Sequence, residues 1–399
     1  MTNSEIIALT EKYVASTYKR FPIAIVKGEG ARVTDADGKD YLDFVAGLAV
    51  TNLGHCHPKV VEAVRRQAGE LFHISNLFHI APQAELAELI CENSFADKVF
   101  FANSGAEAIE AAIKLARRYF SSQGADRPNI ISMEKSFHGR TFAALAATAQ
   151  KKIQKGFEPH LEEFTYVPFG DVEAVERAIT PTTAGVLLEP VQGEGGVNIS
   201  PDAFLKDLSA LLKEKGVLLI YDEVQVGMGR TGKLFAYEHF GVAPDIMTLA
   251  KGLANGIPIG AMCATDEVAS AFTPGTHAST FGGNPISTAA GAACLRAILD
   301  EGVLENTVKV GAYLKEKLNE LKESYGFIKE VRAIGLIAGM ELDIPGAPIV
   351  ERALKEGLLI NCTADTVLRF LPPLIIGVEE VDEMLAILTP ILDEAGAAK

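Results

Sequence analysis

The chain has 399 residues, 48% of them hydrophobic and 22% charged, with a formal net charge of −15. This length suits one large domain with a smaller one attached, and the negative charge argues against nucleic acid or an anionic membrane as a partner. The apolar runs are shorter than a membrane span, and the first residues lack the pattern of a secretory signal. Because the five cysteines are scattered and odd in number, we predict reduced thiols and a cytoplasmic location.

Turn-rich residues 35–38 separate the segments 32–34 and 41–44, which predicts a hairpin near the N-terminus. From about residue 58, apolar runs of strand length alternate with segments of helical periodicity. The predicted strands are 98–102, 129–133, 184–188, 217–221, 245–249 and 259–264, and the helices between them include 106–119 and 201–215. Such alternation predicts an α/β fold with a mostly parallel sheet covered by helices on both faces.

The alternation weakens after about residue 290. A long helical segment at 303–324 is followed by the short strand candidates 328–334, 339–342, 358–360 and 367–371 and by a closing helix at 378–394. We therefore predict a large domain from residues 56–290. A smaller α+β domain would combine residues 1–55 with residues 291–399.

Two charged residues follow buried strands at the edge where open α/β sheets bind their ligands. Asp222 ends an apolar run, and Lys251 follows another run and stands beside Gly252. A lysine that forms a Schiff base and an acid that keeps a pyridine nitrogen protonated are what pyridoxal phosphate (PLP) requires. The alternative interpretations are an ordinary turn cap for Asp222 and a solvated surface lysine for Lys251.

Further polar positions lie at the same predicted edge. Ser104, Gly105 and Ala106 open a helix after a strand, where backbone N–H groups and the helix dipole favour a phosphate; the alternative is a plain N-cap. Phe137 could stack on a flat cofactor and Arg140 could bind a substrate carboxylate, although such residues are also common in cores and on surfaces.

A later loop and two other motifs complete the candidates. Ser279 and Thr280 could donate hydrogen bonds to anionic oxygens, or they could belong to a simple turn before a helix. The run His55-Cys56-His57 cannot direct three ligands to one face, so we predict no metal site. The glycine pattern at 227–232 does not link a strand directly to a helix, so we reject a dinucleotide site.

Taken together, the block from Asp222 to Gly232, the lysine at 251 and the segment 137–140 resemble the class III (ω-amino acid) aminotransferases of PLP fold type I. The similarity spans nearly the whole chain, from Phe21 to Pro373. The resemblance implies PLP as cofactor, a seven-stranded, mostly parallel sheet in the large domain, and a homodimer.

The resemblance also implies roles for matching positions. Lys251 would hold the cofactor and move protons, while Asp222 would pair with the pyridine nitrogen as the second catalytic residue. Phe137 would stack on the ring, and Gln225 would contact the phenolic oxygen. The other cofactor-binding positions would be Ser104, Gly105, Ala106, Glu223, Val224 and Thr280, the threonine coming from the neighbouring subunit.

For substrates, the resemblance implies transfer of the ω-amino group of N2-acetyl-L-ornithine to 2-oxoglutarate, a step of arginine biosynthesis. Arg140 and Ser279 would hold the carboxylate remote from the reacting amine. Glu189 would pair with Arg369 until 2-oxoglutarate enters and takes its place.

Alternative donors remain open. Leu48 stands where relatives that use free ornithine place a tyrosine, which favours an acylated donor. Succinylornithine, ornithine, acetyllysine and 4-aminobutyrate remain as other donors. An isomerase or decarboxylase on the same fold, or a relative without catalysis, remains as another class of protein.

Overall fold

Strands and helices alternate through most of the chain in the computed structural model, which describes residues 1–201 and 203–397. The strands are β1 (Ile25–Glu29), β2 (Arg32–Asp35), β3 (Asp40–Asp43), β4 (Lys98–Ala102), β5 (Asn129–Met133), β6 (Phe164–Val167), β7 (Thr183–Leu188), β8 (Val191–Gln192), β9 (Asn198–Ile199), β10 (Leu218–Asp222), β11 (Ile246–Leu249), β12 (Gly260–Ala264), β13 (Ile328–Ile334), β14 (Ile337–Leu342), β15 (Leu358–Leu359), β16 (Asn361–Thr363) and β17 (Val367–Phe370). The α-helices are α1 (Asn3–Tyr13), α2 (Ala46–Ala49), α3 (Pro58–Glu70), α4 (Ala81–Glu92), α5 (Gly105–Ser122), α6 (Phe142–Ala147), α7 (Lys151–Gln154), α8 (Val172–Ala178), α9 (Phe204–Lys215), α10 (Tyr237–Phe240), α11 (Asp266–Ala269), α12 (Pro285–Asp300), α13 (Val303–Ser324), α14 (Ala347–Lys355) and α15 (Val378–Ala397).

The central sheet has seven strands among the described residues, in the order β4-β12-β11-β10-β7-β5-β6. The pairs β11–β10, β10–β7, β7–β5 and β5–β6 are parallel, whereas β12 is antiparallel to both of its neighbours. The predicted mostly parallel sheet is therefore confirmed. Six of its strands, all except β6, match predicted segments within one residue at each end.

Helices cover both faces of this sheet because neighbouring residues of a strand point in opposite directions. Ile220 of β10 packs with Ile109 of α5 in one hydrophobic cluster. The adjacent Leu219 packs with Leu205 and Leu208 of α9 in another. These fully buried strands therefore read as continuous apolar runs in the sequence.

The edge strand β6 was not predicted. Its residues are only partly buried except for Val167, and Tyr166 is exposed. An edge strand with one covered face and mixed polarity lacks the continuous apolar run by which the inner strands were recognised.

The two ends of the chain meet in a second sheet. The predicted hairpin is confirmed, since β2 and β3 pair antiparallel. β3 also pairs with β15 in parallel, with Leu42 opposite Leu358. A further sheet, which we call the C-terminal sheet, has the order β13-β14-β17-β16. Residues from both termini thus share one sheet, while the predicted domain boundaries at 55 and 290 stay a prediction.

Two other sequence expectations concern the whole chain. None of the helices in the described residues is both long and apolar enough to span a bilayer. The five cysteines all carry free thiols.

Candidate active site

A cavity of about 400 Å³ lies where several strands of the central sheet end. It has the size of a small-molecule site. The residues that line it come from loops after β4, β5, β7, β10 and β11 and from the neighbouring segments: Val50, Asn103, Ser104, Gly105, Ala106, Phe137, His138, Gly139, Arg140, Glu189, Glu194, Asp222, Val224, Gln225, Ala250, Lys251, Gly256, Ile257, Pro258 and Ile259. The structure thus brings together most of the predicted site residues.

Asp222 is buried at the end of β10 and is held by three donors. His138 Nδ1 lies 2.7 Å from Asp222 Oδ2, where a carboxylate accepts the ring proton. The Val224 N–H and the Thr248 hydroxyl donate to Asp222 Oδ1 at 3.0 and 3.4 Å. These three contacts fix the orientation of the Asp222 carboxylate at the wall of the cavity.

His138 is a site residue that the sequence interpretation did not assign. It lies between Phe137 and Arg140, which were both assigned, and it is buried. Among the described residues, no group forms a hydrogen bond with its Nε2. The strict pairing of Nδ1 with Asp222 makes His138 a positioning residue for that carboxylate. Its only signal in the sequence was its place within the 136–140 motif.

Lys251 begins a short 3-10 helix directly after Ala250 and has a φ of +42°, which is uncommon for a residue with a side chain. No described residue forms a hydrogen bond or an ion pair with its amine. Burial lowers the pKa of Lys251; the charge of Arg369 adds to this shift, and the carboxylate of Glu194 opposes it. A lowered pKa increases the fraction of neutral amine, which is the nucleophile and the proton acceptor.

The N-terminus of α5 opens into the cavity. Ser104 caps this helix by accepting a hydrogen bond from the Glu107 N–H at 3.2 Å. At Gly105, a Cβ atom would lie 2.8 Å from Val224 Cγ1, so the close approach of these two segments requires a glycine. The next residue, Ala106, also lines the cavity. The exposed N–H groups and the positive end of the helix dipole form a site for a phosphate.

Phe137 and Arg140 lie together at the cavity wall. The Arg140 guanidinium is 5.4 Å from the centre of the Phe137 ring, within the range of a cation–π contact. The Phe137 N–H donates to Glu189 Oε2 at 3.1 Å, which fixes the start of this loop. Arg140 is exposed, so its charge is available at the mouth of the cavity.

The structure does not show the predicted pair of Glu189 and Arg369. Arg369 Nη1 instead donates to Glu194 Oε1 at 2.8 Å. Both oxygens of Glu189 are occupied elsewhere, by the N–H groups of Phe137 and Gly193. Glu194 reaches the arginine because it stands on a glycine-rich loop that lies against the cavity. The sequence offered two glutamates five residues apart and no signal to choose between them.

Gln225 links the two members of this pair. Its Oε1 accepts from Arg369 Nη1 at 3.1 Å, and its Nε2 donates to Glu194 Oε1 at 3.2 Å. Burial alone would raise the pKa of Glu194, but the charge and the hydrogen bond of Arg369 lower it. For Glu189, burial raises the pKa to about 7, and the neighbouring charge of Asp222 acts in the same direction.

The structure also corrects the assignment of Glu223 to the cofactor. Its carboxylate accepts hydrogen bonds from the N–H groups of Ala236 and Tyr237 at 2.6 and 2.8 Å, and it is not among the residues that line the cavity. Because it follows Asp222 directly, its side chain points the other way. Burial raises the pKa of Glu223 to about 8.

Ser279 and Thr280 lie beside the cavity rather than in its lining. Both line an adjoining hollow of about 890 Å³. Ser279 Oγ accepts from the Gly282 N–H at 3.0 Å and from Asn103 Nδ2 at 3.3 Å, and Asn103 in turn lines the cavity. Thr280 is exposed. The roles assigned to these two hydroxyls stay predictions.

The residues of the cavity fit PLP. An anionic carboxylate, an amine without a partner, an aromatic ring and a helix N-terminus surround one space, and each matches a different part of that cofactor. Together with the seven-stranded sheet, this arrangement defines an enzyme of PLP fold type I.

Comparison with known proteins is consistent with this class. The family model described as aminotransferase class-III matches residues 13–392. The chain therefore belongs to the class-III aminotransferases, and it is a PLP-dependent transaminase.

Individual relatives resemble the chain over nearly their whole length. An acetylornithine aminotransferase of Caldanaerobacter subterraneus subsp. tengcongensis is 53% identical, with 97% of this chain and 99% of the relative covered. The crystal structure of an acetylornithine aminotransferase from Elizabethkingia anophelis has a TM-score of 0.89 and 33% identity, covering 99% and 100% of the two chains. An ornithine aminotransferase structure from Toxoplasma gondii has a TM-score of 0.96 and 34% identity, covering 100% and 97%.

Proposed function

We propose that this enzyme transfers the ω-amino group of N2-acetyl-L-ornithine to 2-oxoglutarate in arginine biosynthesis. The products are N-acetyl-L-glutamate 5-semialdehyde and L-glutamate. The observation that carries the proposal is the pairing of a fully buried arginine, Arg369, with a carboxylate that lines the Lys251 cavity, Glu194. This pair gives one site a way to accept two substrates of different charge.

The chemistry divides between Lys251 and Asp222. Bound PLP would supply a ring that withdraws electrons from the substrate carbon that carries the reacting amino group. Asp222, held by His138, keeps the ring nitrogen protonated through its negative charge. Lys251 would attach the cofactor and, once released as a neutral amine, would accept a proton from the substrate and return it; the lowered pKa of Lys251 supports the neutral form. Phe137 covers one face of the ring, and the N-terminus of α5, with Ser104, Gly105 and Ala106, binds the phosphate.

The two substrates meet Arg369 differently. The amine donor presents uncharged atoms near the arginine, and Glu194 then neutralises the buried cation. When 2-oxoglutarate enters, its α-carboxylate replaces Glu194. The Nη2 of Arg369 supports this exchange, since it is buried and has no hydrogen-bond partner among the described residues. A bidentate carboxylate uses both guanidinium nitrogens.

Three observations support an acylated donor. Curated relatives named acetylornithine aminotransferase reach 53% identity over nearly the whole chain. Leu48 is an aliphatic residue in a turn near the cavity, where Val50 lines the wall. Arg140 lies at the mouth and is suited to the donor's carboxylate, with Ser279 close by. The ornithine aminotransferase of Toxoplasma gondii, at a TM-score of 0.96, makes free ornithine the second candidate donor.

A half-reaction screen tests the donor. The visible absorption of the bound cofactor changes when an amino group is transferred, so each amine can be mixed with the holoenzyme in the absence of 2-oxoglutarate. We expect N-acetylornithine to react with a kcat/KM at least ~100-fold above that of ornithine, because an unpaired α-ammonium is costly to bury. N-Succinylornithine, acetyllysine and 4-aminobutyrate complete the screen. Repeated turnover without any 2-oxo acid would instead indicate an isomerase.

A substitution at Leu48 sharpens the same test. The side chain is 41% exposed, so a larger residue fits without displacing the core. We expect Leu48→Tyr to raise kcat/KM for free ornithine by about 10-fold, since the hydroxyl offers an acceptor for the α-ammonium. Leu48→Phe is the matched control, because it adds the ring without the hydroxyl. Equal gains in both variants would exclude this role for position 48.

We also propose that the enzyme is a homodimer in which Thr280 binds the cofactor phosphate of the neighbouring subunit. Thr280 is exposed and does not line its own cavity. Large apolar side chains surround this region of the surface, and Asn76 bonds to the carbonyl groups of Ser279 and Gly282. The exposed apolar residues are Phe72, Leu77, Phe78 and Phe281. Such a patch is typical of a surface that a second copy covers.

Mixed dimers test the assignment of Thr280. Lys251→Ala and Thr280→Ala variants are inactive or impaired alone, and their subunits are mixed and allowed to exchange. If Thr280 acts across the interface, each mixed dimer contains one complete site, and activity recovers toward half of the parent value per mixed dimer. Activity that stays at the level of Thr280→Ala would place the threonine in its own site. The cytoplasmic location remains a proposal that rests on the free, scattered cysteines.

A further inference from the structure

The backbone around Glu194 has an unusual conformation. We call residues 193–197 the Glu194 loop. Val197, at its end, has a φ of +56° although it is fully buried, and Gly196 has a φ of +115°. A β-branched residue with a positive φ is rare and strained. Strain of this kind persists only where the surrounding groups fix the backbone.

Side chains from the segment that connects strands β7 and β10 of the central sheet hold part of this loop. The Gly193 N–H donates to Glu189 Oε1 at 3.2 Å. The Gly195 carbonyl accepts from Asn198 Nδ2 at 3.0 Å. Gly193 also lies so close to Gln225 that a Cβ atom there would be 1.8 Å from Gln225 Oε1. The start of the loop is therefore fixed against the cavity.

Two residues of the C-terminal sheet hold the rest. The Thr363 hydroxyl of β16 donates to the Glu194 carbonyl. Arg332 of β13 donates to the Gly196 carbonyl twice, from Nε at 3.1 Å and from Nη2 at 2.8 Å. Its remaining nitrogen, Nη1, pairs with Glu330 and Glu341, which fixes the plane of the guanidinium. Every carbonyl from residue 194 to residue 196 thus accepts from a side chain.

The register of the C-terminal sheet explains why Arg332 and Arg369 act on the same loop. Arg332 lies opposite Gly339, and Gly339 lies opposite Arg369, so the three residues form one row across three strands. Residues in one row point to the same face of a sheet. Gly339 has no side chain between the two arginines, and a Cβ atom there would come within 3.0 Å of Val197. One arginine therefore binds the side chain of Glu194, while the other binds the carbonyl of Gly196 in the same loop.

We propose that Arg332 is a positioning residue for transamination: by holding the Gly196 carbonyl, it places the Glu194 carboxylate against Arg369 during the amine-donor half-reaction. The inference rests on the proposed roles of Glu194 and Arg369. Because the backbone of the Glu194 loop is fixed, the exchange between substrates is a rotation of the Glu194 side chain. Arg332, Thr363 and Arg369 share one sheet, so a movement of that sheet carries the arginine and its counter-ion together.

The test compares the two half-reactions in Arg332→Met and Thr363→Val. Both variants remove a donor to the Glu194 loop, and only the first changes a charge. We expect kcat/KM for the amine donor to fall about 10-fold in each, as for the loss of a buried hydrogen bond, while the 2-oxoglutarate half-reaction changes less than about 2-fold. Glutarate, a dicarboxylate without a reactive carbonyl, should bind the holoenzyme as tightly as before or more tightly, because Arg369 is less well neutralised.

Hydrogen exchange of the protein without substrates gives an independent measurement. The N–H groups of Gly196 and Val197 both bond to the Gly193 carbonyl, so their exchange reports the loop backbone. We expect faster exchange at these amides in Arg332→Met and Thr363→Val, and recovery in Thr363→Ser, which keeps the hydroxyl. This readout does not depend on the identity of the donor, so it separates a failure of this inference from a failure of the proposed function.

Arg352→Met is the matched control. Arg352 also pairs with two glutamates, Glu356 and Glu394, but it lies on α14, and within the described part of the chain its side chain donates to those two residues alone. Its half-reactions should equal those of the parent. Equal losses in both half-reactions of Arg332→Met and Thr363→Val, or unchanged exchange at Gly196 and Val197, would overturn the proposal.

Discussion

Two arginines are fully buried in this protein, and they are held in opposite ways. Arg369 pairs with a carboxylate, Glu194, and with the side-chain amides of Gln225 and Asn361. Among the residues that the structure describes, Arg230 has no carboxylate within hydrogen-bonding distance; its nitrogens donate to the carbonyls of Leu336 and Pro372 and to Asn52 Oδ1.

Arg369 is a buried cation whose carboxylate partner can move away, whereas Arg230 is a buried cation whose partners are fixed. Burial lowers the pKa of Arg230, and only the more distant charge of Asp43 opposes this. Neutral oxygens must therefore offset its desolvation, and most of them belong to the backbone. They join the segment around Asn52 and the C-terminal part of the chain to the loop after β10. Arg230 is a structural joint, whereas the side chain that neutralises Arg369 is free to rotate away.

The largest expected effect comes from removing the exchangeable cation. In Arg369→Met, we expect kcat/KM for 2-oxoglutarate to fall about 1000-fold, since a carboxylate loses a buried, charge-assisted partner worth roughly 4 kcal/mol. The amine-donor half-reaction should fall by less than about 10-fold, because the donor does not bind this arginine. Stopped-flow measurement of both half-reactions gives the ratio.

Arg369→Lys is the companion variant. It keeps the charge but loses the bidentate geometry, so we expect an intermediate loss for 2-oxoglutarate. If Arg369→Met slowed both half-reactions to the same extent, the arginine would be a structural joint like Arg230, and the contrast between the two would not hold.

The second-largest expected effect is a loss of stability, and it concerns Arg230. Arg230→Met leaves two buried carbonyls and the Asn52 amide oxygen without their donor, so we expect the free energy of unfolding to fall by about 3 kcal/mol. Denaturant unfolding of the two proteins measures the change. The ratio of the two half-reaction constants should stay within about 2-fold of the parent in the folded fraction. A change in that ratio without a loss of stability would contradict a purely structural role.

The contrast also shows what the sequence could predict. The inner strands β5, β7, β10, β11 and β12 were recognisable because they are buried on both faces and therefore apolar almost throughout. Asp222 and Lys251 stood out because each ends such a run. The edge strand β6 gave no comparable signal, since only part of it is buried.

Pairings between distant side chains could not be predicted in the same way. The resemblance implied Glu189 as the partner of Arg369, but the choice between Glu189 and Glu194 depends on how the glycine-rich Glu194 loop folds back. Glu223 was assigned to the cofactor through its neighbours, although the alternation of side chains along a strand points it away. The partners of Arg230, the carbonyls of Leu336 and Pro372, lie 106 and 142 residues away along the chain. Such contacts join residues that are far apart in the sequence, so a local pattern gives no signal for them.

The smallest expected effect concerns the stability contributed by Asp35, a carboxylate whose hydrogen-bond partners are fixed. Asp35 is buried and accepts hydrogen bonds from Asn3, Asp37, Lys39 and Tyr41. Burial alone would raise the pKa of Asp35, but these hydrogen bonds lower it to about 2. Like Arg230, it holds a structural junction, here between α1 and the N-terminal hairpin.

The sign of the pH effect follows from that lowered pKa. The unfolded chain takes up a proton at about pH 4 and the folded chain only near pH 2, so the contribution of Asp35 is complete above pH 4 and is lost as the pH falls through this window. We expect Asp35→Asn to lower the free energy of unfolding by about 1–2 kcal/mol at pH 7, and the two proteins to converge toward pH 2. Tyr41→Phe removes one of the donors and should lose part of the same difference. Denaturant unfolding at pH 7, 5, 4 and 3 measures this, and parallel curves for parent and Asp35→Asn would mean that the carboxylate gains nothing from its fixed partners.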